Sequence, residues 1–235
     1  MTDSQSAGRS IVIAIDGPAG SGKSTVASRI ARKHGYVNIE TGAMYRALAL
    51  KAVLTDISFD DEAALLRLAE ESIIRLEPQP DGNRVLLDNQ NVSARIREQD
   101  VTDAASKVSV HPKVREWMVA HQRDMGLQGG VVMEGRDIGT KVFPDADVKI
   151  FLDADPEVRG TRRFQQHQSG VSQGNMTAEQ AAVLAELRER DRRDRNRAAS
   201  PLVAADDAVI IDSTHLTLEQ VIEKVEEIIA AKSRC

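Results

Sequence analysis

The sequence of 235 residues predicts an α/β fold with a doubly wound, parallel sheet of five strands. Five short apolar runs recur along the chain, and longer segments with the apolar spacing of amphipathic helices lie between them. The first run is continuously apolar and rich in β-branched residues, which is typical of a strand buried on both faces. The runs lie at 11–15, 36–39, 131–133, 148–152 and 208–211.

The elements follow one another in a regular order from the N-terminus. The first strand ends at Asp16, a glycine-rich turn follows, and the spacing predicts a helix over 24–34 that Gly35 closes. The pattern ends with a helix over 217–232, which we expect to pack on the core. A polar stretch over 165–176 is predicted to be a mobile loop between two helices.

One region departs from this alternation of strands and helices. Between residues 72 and 93, two short strand-like runs flank Pro78, Pro80 and the turn signal Asp81-Gly82-Asn83. This pattern predicts an antiparallel hairpin. We interpret the hairpin as part of an insertion that forms a small second lobe.

Composition restricts the classes of partner. A net charge of −5 and only seven aromatic residues argue against a nucleic-acid-binding protein. No uninterrupted apolar run exceeds five residues, and residues 1–10 lack a secretory signal, so we expect no membrane partner. A single cysteine, Cys235, excludes an intrachain disulfide and fits a cytoplasmic protein. Arginine nevertheless outnumbers lysine 22 to 9, and arginine is suited to bidentate binding of phosphate.

The turn after the first strand matches the phosphate-loop pattern G-x-x-x-x-G-K-[ST] at every fixed position. In such a loop, backbone N–H groups converge on phosphate oxygens, Lys23 reaches the β- and γ-phosphates, and Ser24 is a ligand of Mg²⁺. The residues predicted to bind ATP are Gly17, Pro18, Ala19, Gly20, Ser21, Gly22, Lys23, Ser24 and Thr25.

A nucleoside triphosphate site leaves GTPases, motor or transporter ATPases, and small-molecule kinases open. The segment 140–143 lacks the carboxylate of a guanine-reading motif, which disfavours a GTPase. Asp153 follows a strand but Ala154 stands next to it, whereas nucleotide-hydrolysing machines usually carry paired acids there. Transfer of a phosphoryl group to a second substrate is therefore favoured.

Arginines and acids cluster where a second substrate would bind. Residues 134–137 follow the strand at 131–133, at the carboxyl edge of the sheet where ligands bind in this architecture. Residues 188–197 include six arginines and three acids, and Arg159, Arg162 and Arg163 precede the polar loop. Phosphoryl transfer requires such cations because the charge on the transferring group is stabilised electrostatically. We interpret Arg159, Arg162 and Arg163 as part of a lid that closes over the substrates.

Four segments together resemble the bacterial cytidylate kinases: 17–25, 41–46, 134–140 and 190–197. The resemblance covers residues 11–232 and implies transfer of the γ-phosphoryl group of ATP to CMP or dCMP, with Mg²⁺ as cofactor. It also implies a single kinase unit of three parts. These are a core at 10–59 and 128–235, a lid around 156–176 within it, and a nucleotide-monophosphate-binding lobe at 60–127.

The resemblance assigns roles to individual residues of this sequence. Around the cytosine it places Thr41, Ser106, Arg115 and Asp137, and at the ribose Asp194. Around the phosphate and ribose of the acceptor it places Arg46, Arg136, Arg190 and Arg197. The predicted catalytic set is Lys23, Arg136, Arg190, Arg197, Arg159 and Arg163, and the predicted metal ligands are Ser24 and Glu134. Glu134 stands where the family often has aspartate.

The assignment around the base agrees with the chemistry of cytosine. Cytosine offers a donor at N4 and acceptors at N3 and O2, so the carboxylate of Asp137 and donors from Arg115 or Ser106 are complementary to it. Uracil reverses the pattern at N3 and at position 4, which mispairs buried polar groups.

Two other functions stay open at this point. One is a related small-molecule kinase whose acceptor is another monophosphate or a polyol. The other is a nucleotide-gated regulatory module that uses the arginine-rich helix on RNA or a protein. We expect a monomer, since the sequence has no coiled-coil pattern and no obvious exposed apolar face.

Overall fold

The computed structural model describes residues 10–79, 82–167 and 178–232. Cys235, the turn residues Pro80 and Asp81, and most of the loop predicted over 165–176 lie outside these ranges. In the described ranges, no helix is both long enough and apolar enough to cross a membrane.

The chain alternates between strands and helices. The strands are β1 (Val12–Asp16), β2 (Val37–Glu40), β3 (Ile74–Gln79), β4 (Gly82–Leu87), β5 (Gln90–Asn91), β6 (Val131–Gly135), β7 (Val148–Asp153) and β8 (Val209–Asp212). The helices are α1 (Lys23–His34), α2 (Thr41–Leu54), α3 (Glu62–Glu70), α4 (Gln99–Val108), α5 (Pro112–Gly126), α6 (Pro156–His167), α7 (Ala178–Asn196) and α8 (Leu218–Lys232). A short 3₁₀ turn spans Arg95–Arg97, and a π-helical turn spans Ile138–Val142.

The central sheet has five parallel strands in the order β2-β6-β1-β7-β8, which confirms the predicted fold class. Side chains of β1 alternate between the faces: Ile13 and Ile15 pack with residues of α1 and α8, whereas Ala14 packs on the other side with Met133 and Ile138. Burial of both faces explains the continuously apolar sequence of this strand. The carboxyl ends of β2, β6 and β1 therefore meet at one edge.

The inserted hairpin is confirmed, and its strands are longer than the two predicted runs. Gly82 and Asn83 belong to β4, where they pair with Gln79 and Pro78. The two strands therefore extend further into the predicted connecting stretch than the apolar runs indicated, with β3 ending at Gln79 and β4 beginning at Gly82. Pro78 is accommodated within β3 because this strand lies at the edge of its sheet of three strands.

The second lobe has its own hydrophobic cluster. Leu65 of α3, Val85 of β4, Val101 of α4 and Met118 of α5 pack together in it. Helix α2 contributes eight buried residues between Ala43 and Ala52 to the same cluster. The packing of the lobe thus extends across the boundary predicted at residue 59, and the division of the chain into parts stays a prediction.

Candidate active site

The phosphate loop connects β1 to α1 in the predicted order of strand, loop and helix. Gly17 lies directly against β7, where a Cβ atom would be 2.1 Å from the carbonyl oxygen of Leu152. Only glycine therefore fits this position without moving the backbone. Because α1 begins at Lys23, the positive end of the helix is directed at the space that the loop encloses.

Lys23 and Ser24 both approach Glu134, the carboxylate near the end of β6. The Lys23 ammonium donates to the carbonyl oxygen of Pro18 at 3.1 Å and lies 3.9 Å from Glu134 Oε2. The Ser24 hydroxyl donates to Glu134 Oε1 at 2.8 Å. Burial, together with the charge of Arg136, lowers the pKa of Lys23 to about 7, while burial raises the pKa of Glu134. A polyanion beside Lys23 would favour its charged form.

A cavity of about 760 Å³ opens between the phosphate loop, the second lobe and α7. The residues predicted for the site that line it are Ala19, Gly20, Gly22, Lys23, Ser24, Thr25, Thr41, Arg46, Arg115, Glu134, Arg136, Asp137, Arg163, Arg190, Asp194 and Arg197. The predicted residues outside its described wall are Gly17, Pro18, Ser21, Ser106 and Arg159. The fold thus brings the predicted donor and acceptor residues around one space.

Four of the arginines that line this cavity lie near one another: Arg46, Arg136, Arg163 and Arg190. Burial and the nearby charge of Arg136 lower the pKa of Arg190 to about 10. Burial, with the charge of Arg46, also lowers the pKa of Arg163. The Nε atom of Arg190 is buried without a hydrogen-bond partner among the described residues. Such mutually repelling guanidinium groups suit a ligand that carries several negative charges.

Asp194 of α7 is the anionic partner within this group of arginines. Its carboxylate accepts from Arg136 Nε at 2.9 Å and lies 3.5 Å from Arg197 Nη1. Burial acts to raise the pKa of Asp194, but the charges of Arg136 and Arg190 outweigh it, so the pKa is lowered. The ionised carboxylate fixes the Nε side of Arg136, while Nη1 donates to the carbonyl oxygen of Gly135 at 3.3 Å.

Asp137 and Arg115 form a buried pair on the wall of the cavity. Arg115 Nη2 donates to Asp137 Oδ2 at 2.6 Å, and Arg197 Nη2 lies 3.9 Å from the other carboxylate oxygen. Arg115 Nε and Arg197 Nη2 are buried without hydrogen-bond partners in the described part of the chain. The Tyr45 ring lies 5.3 Å from the Arg115 guanidinium, and burial raises the pKa of its hydroxyl to about 12. The group offers one carboxylate and several unused donors.

The family model described as cytidylate kinase matches residues 13–231, which includes every element that contributes to this cavity. The chain belongs to the cytidylate kinase family. This confirms the resemblance drawn from the four sequence segments.

Curated relatives agree with the family model over nearly the whole chain. The cytidylate kinase of Geobacillus kaustophilus (strain HTA426) is 49% identical over 94% of this chain and 97% of its own length. That of Actinobacillus succinogenes (strain ATCC 55618) is 46% identical over 95% of this chain and 100% of its own length. The cytidylate kinase of Enterococcus faecalis (strain ATCC 700802) is 47% identical over 94% of this chain and 96% of its own length. The chain is thus a phosphotransferase of this family.

Arg159 lies behind the phosphate loop of this kinase. Its guanidinium donates to the carbonyl oxygens of Ala154 at 2.8 Å and Ala19 at 3.0 Å, and pairs with Asp191 at 2.7 Å. Through these contacts Arg159, which belongs to α6, links the phosphate loop to α7. Its side chain is almost completely buried. In this arrangement Arg159 braces the loop, and its catalytic role stays a prediction.

Ser106 lies on α4, next to Ala105, which lines the cavity. Its hydroxyl is buried without a hydrogen-bond partner in the described ranges, while Thr102 and Ala105 of the same helix and Ser109, just after its end, line the cavity. The hydroxyl of Thr41 is occupied, since it donates to the carbonyl oxygen of Glu134 at 2.8 Å. Both assignments to the base stay predictions.

Sequence reasoning missed three charged residues on the cavity wall: Glu40, Arg97 and Glu186. Glu40 ends β2 and is the register partner of Glu134, and its carboxylate accepts a hydrogen bond from Arg46. Arg97 Nη2 lies 3.9 Å from Glu40 Oε2. A carboxylate at a strand end, on the same sheet edge as Glu134, was a usable signal for Glu40. Arg97 lies outside every motif, so nothing in the sequence pointed to it.

Proposed function

We propose that this chain transfers the γ-phosphoryl group of ATP to CMP or dCMP and releases ADP with CDP or dCDP. One observation carries the proposal: the phosphate loop with Lys23 and the Asp137–Arg115 pair line one cavity, and arginines line the space between them. The relatives named cytidylate kinase support the identity of the acceptor. The dCMP acceptor, the cytoplasmic location and the monomeric state stay predictions.

Ser24 and Glu134 fit the requirements of Mg²⁺. Both present oxygen atoms, which Mg²⁺ prefers, and they lie within hydrogen-bond distance of each other beside the phosphate loop. When bound there, the ion would neutralise charge on the donor phosphates. The Ser24 hydroxyl donates a hydrogen bond to Glu134, so the two oxygen ligands are already side by side.

The acceptor needs no general base. Its phosphate oxygen is anionic and attacks the γ-phosphorus directly, so the new P–O bond forms while the bond between the γ-phosphorus and the β,γ-bridging oxygen breaks. Arg46, Arg136 and Arg190 neutralise the acceptor phosphate and the transferring group, and Lys23 neutralises the donor. Positioning and charge therefore supply the catalysis, without a covalent enzyme intermediate.

The acceptor range tests this function. Release of ADP is measured in a coupled assay with ATP, Mg²⁺ and each of CMP, dCMP, UMP, AMP and GMP. We expect kcat/KM to be highest for CMP or dCMP and lower for UMP by about one to two orders of magnitude. Turnover with a different monophosphate or a polyol, and none with CMP, would support the related-kinase alternative instead.

Replacing Arg97 by glutamine is expected to raise KM for CMP by about tenfold and to leave KM for ATP unchanged. The reason is its position, since Arg97 lines the cavity beside Glu40, which is the register partner of Glu134. Arg95→Gln is the matched control, because Arg95 lies in the same 3₁₀ turn but pairs with Asp100 and Glu98 at the surface. Equal KM values for the two variants would contradict a role of Arg97 in acceptor binding.

A further inference from the structure

Asp16 is a buried carboxylate at the junction between β1 and the phosphate loop. It is the last residue of β1, and only 5% of its surface is exposed. Its two oxygens accept hydrogen bonds from the backbone N–H groups of Ile138 at 2.8 Å and Gly139 at 2.7 Å. The carboxylate therefore joins the first residue before the donor loop to a segment 122 residues further along the chain.

The two N–H groups belong to the turn that directly follows Asp137. Asp16 is the register partner of Gly135 on β6, so the strands run side by side up to this point. Beyond it, β6 ends and the chain turns at Asp137 into the π-helical turn, whose first residues are held by Asp16. The direction in which the Asp137 side chain leaves the sheet thus depends on the Asp16 carboxylate.

The turn has little room to shift. A Cβ atom at Gly139 would lie 3.4 Å from Asp16 Oδ2 and 3.3 Å from Lys149 Cδ. A Cβ atom at Gly135 would lie 2.7 Å from Ile138 Cδ1. In packing this close, the loss of one anchoring contact is passed on to the neighbouring residues.

Placing a carboxylate at the buried position of Asp16 costs free energy of folding. Burial of a carboxylate opposes its ionisation, and burial raises the pKa of Asp16 to about 7 in spite of the two N–H donors. The negative charge of Asp137 acts in the same direction. A neutral acceptor would cost less free energy of folding, which is consistent with a contribution of this carboxylate to function.

We propose that Asp16 is a positioning residue for acceptor selection: it ties the turn that carries Asp137 to the start of the phosphate loop. The inference rests on the proposed function, since Asp137 is the carboxylate assigned to the cytosine amino group. These two hydrogen bonds hold the phosphate loop and the Asp137 carboxylate at a fixed separation. Asp16 itself does not line the described cavity and acts only through the backbone of the turn.

The test is Asp16→Asn, compared with Asp147→Asn. Asparagine keeps the size of the side chain but can accept from only one of the two N–H groups and presents a donor to the other. Asp147 is a matched control because its carboxylate accepts from the backbone N–H of Val12 at 2.9 Å, at the opposite end of the same strand. For each variant, kcat/KM is measured with CMP and with UMP, together with the melting temperature.

We expect the CMP/UMP ratio of kcat/KM to fall by about tenfold in D16N and to stay at the wild-type value in D147N. KM for CMP should rise in D16N, while KM for ATP stays near the wild-type value. The double variant D16N/D137N should discriminate no less than D137N alone, because both changes act on the same contact. If D16N is unfolded, the same comparison is made with Gly139→Ala.

An unchanged CMP/UMP ratio in D16N, with a loss of melting temperature like that of D147N, would overturn the proposal. A ratio in the double variant that falls well below that of D137N would also overturn it, since Asp16 would then act separately from Asp137. Failure of the proposed function is a distinct result: the wild-type enzyme itself would show no preference for CMP.

Discussion

Replacement of Lys23 by alanine is expected to lower kcat by about 10²–10³-fold while the fold is retained. The Lys23 ammonium is the cation of the phosphate loop and lies 3.9 Å from Glu134, where the donor phosphates and their metal would meet. Its charge stabilises negative charge that develops on the transferring group, so its removal acts on the transition state more than on binding. Steady-state kinetics with ATP and CMP measure the effect.

Lys33→Ala is the control for this prediction. Lys33 lies in the last turn of the same helix, is largely exposed and pairs with Glu226 at 3.4 Å, far from the cavity. Its replacement should leave kcat unchanged. Circular dichroism and melting temperature establish that both variants are folded. Near-normal turnover by folded K23A would refute the assignment of Lys23 to the phosphates.

Asp137→Asn is expected to narrow the preference for CMP over UMP by about one to two orders of magnitude in kcat/KM. The carboxylate can only accept hydrogen bonds, as the amino group of cytosine requires, whereas an asparagine amide also donates and can face the O4 atom of uracil. Activity with CMP should fall, and activity with UMP should fall less or rise. The ratio is measured with both acceptors under identical conditions.

The interpretation of D137N depends on the state of Arg115. Arg115 donates to Asp137 at 2.6 Å, and both side chains are buried, so loss of the negative charge leaves a buried cation with a weaker partner. We therefore expect a lower melting temperature and propose assays well below it. Asp145→Asn, in the exposed segment before β7, should change neither the ratio nor the stability. A wild-type ratio in folded D137N would exclude Asp137 from base recognition.

The parallel sheet could be predicted because its signal is local. Apolar runs such as that of β1 are buried on both faces, and this burial is written directly into consecutive residues. The inner ends of the two hairpin strands were placed less accurately. Strand pairing at Gln79–Gly82 and Pro78–Asn83 extends the strands through residues that usually mark turns, and pairing depends on the partner strand rather than on local preference.

The site was predictable where a motif carries its own geometry. The phosphate loop needs glycine at position 17 because β7 approaches it so closely, and the pattern alone marks that need. No local pattern indicates whether a given arginine faces the cavity. Arg159 and Arg163 both follow β7 on α6, yet the first is held by Ala19 and Asp191 behind the loop while the second lines the cavity. Their different surroundings arise from the packing of α6 against α7.

The sequence by itself determined the parallel sheet, the phosphate loop and, through four segments, the family of this kinase, because each depends on residues that are neighbours along the chain. The tertiary structure decided which polar and charged groups come into contact. Asp16 reaches Ile138, Arg115 reaches Asp137, and Arg97 approaches Glu40, all across long separations in sequence. Such contacts depend on where strands end and how helices pack, so local patterns do not specify them. They are also the contacts from which we infer how the acceptor is held.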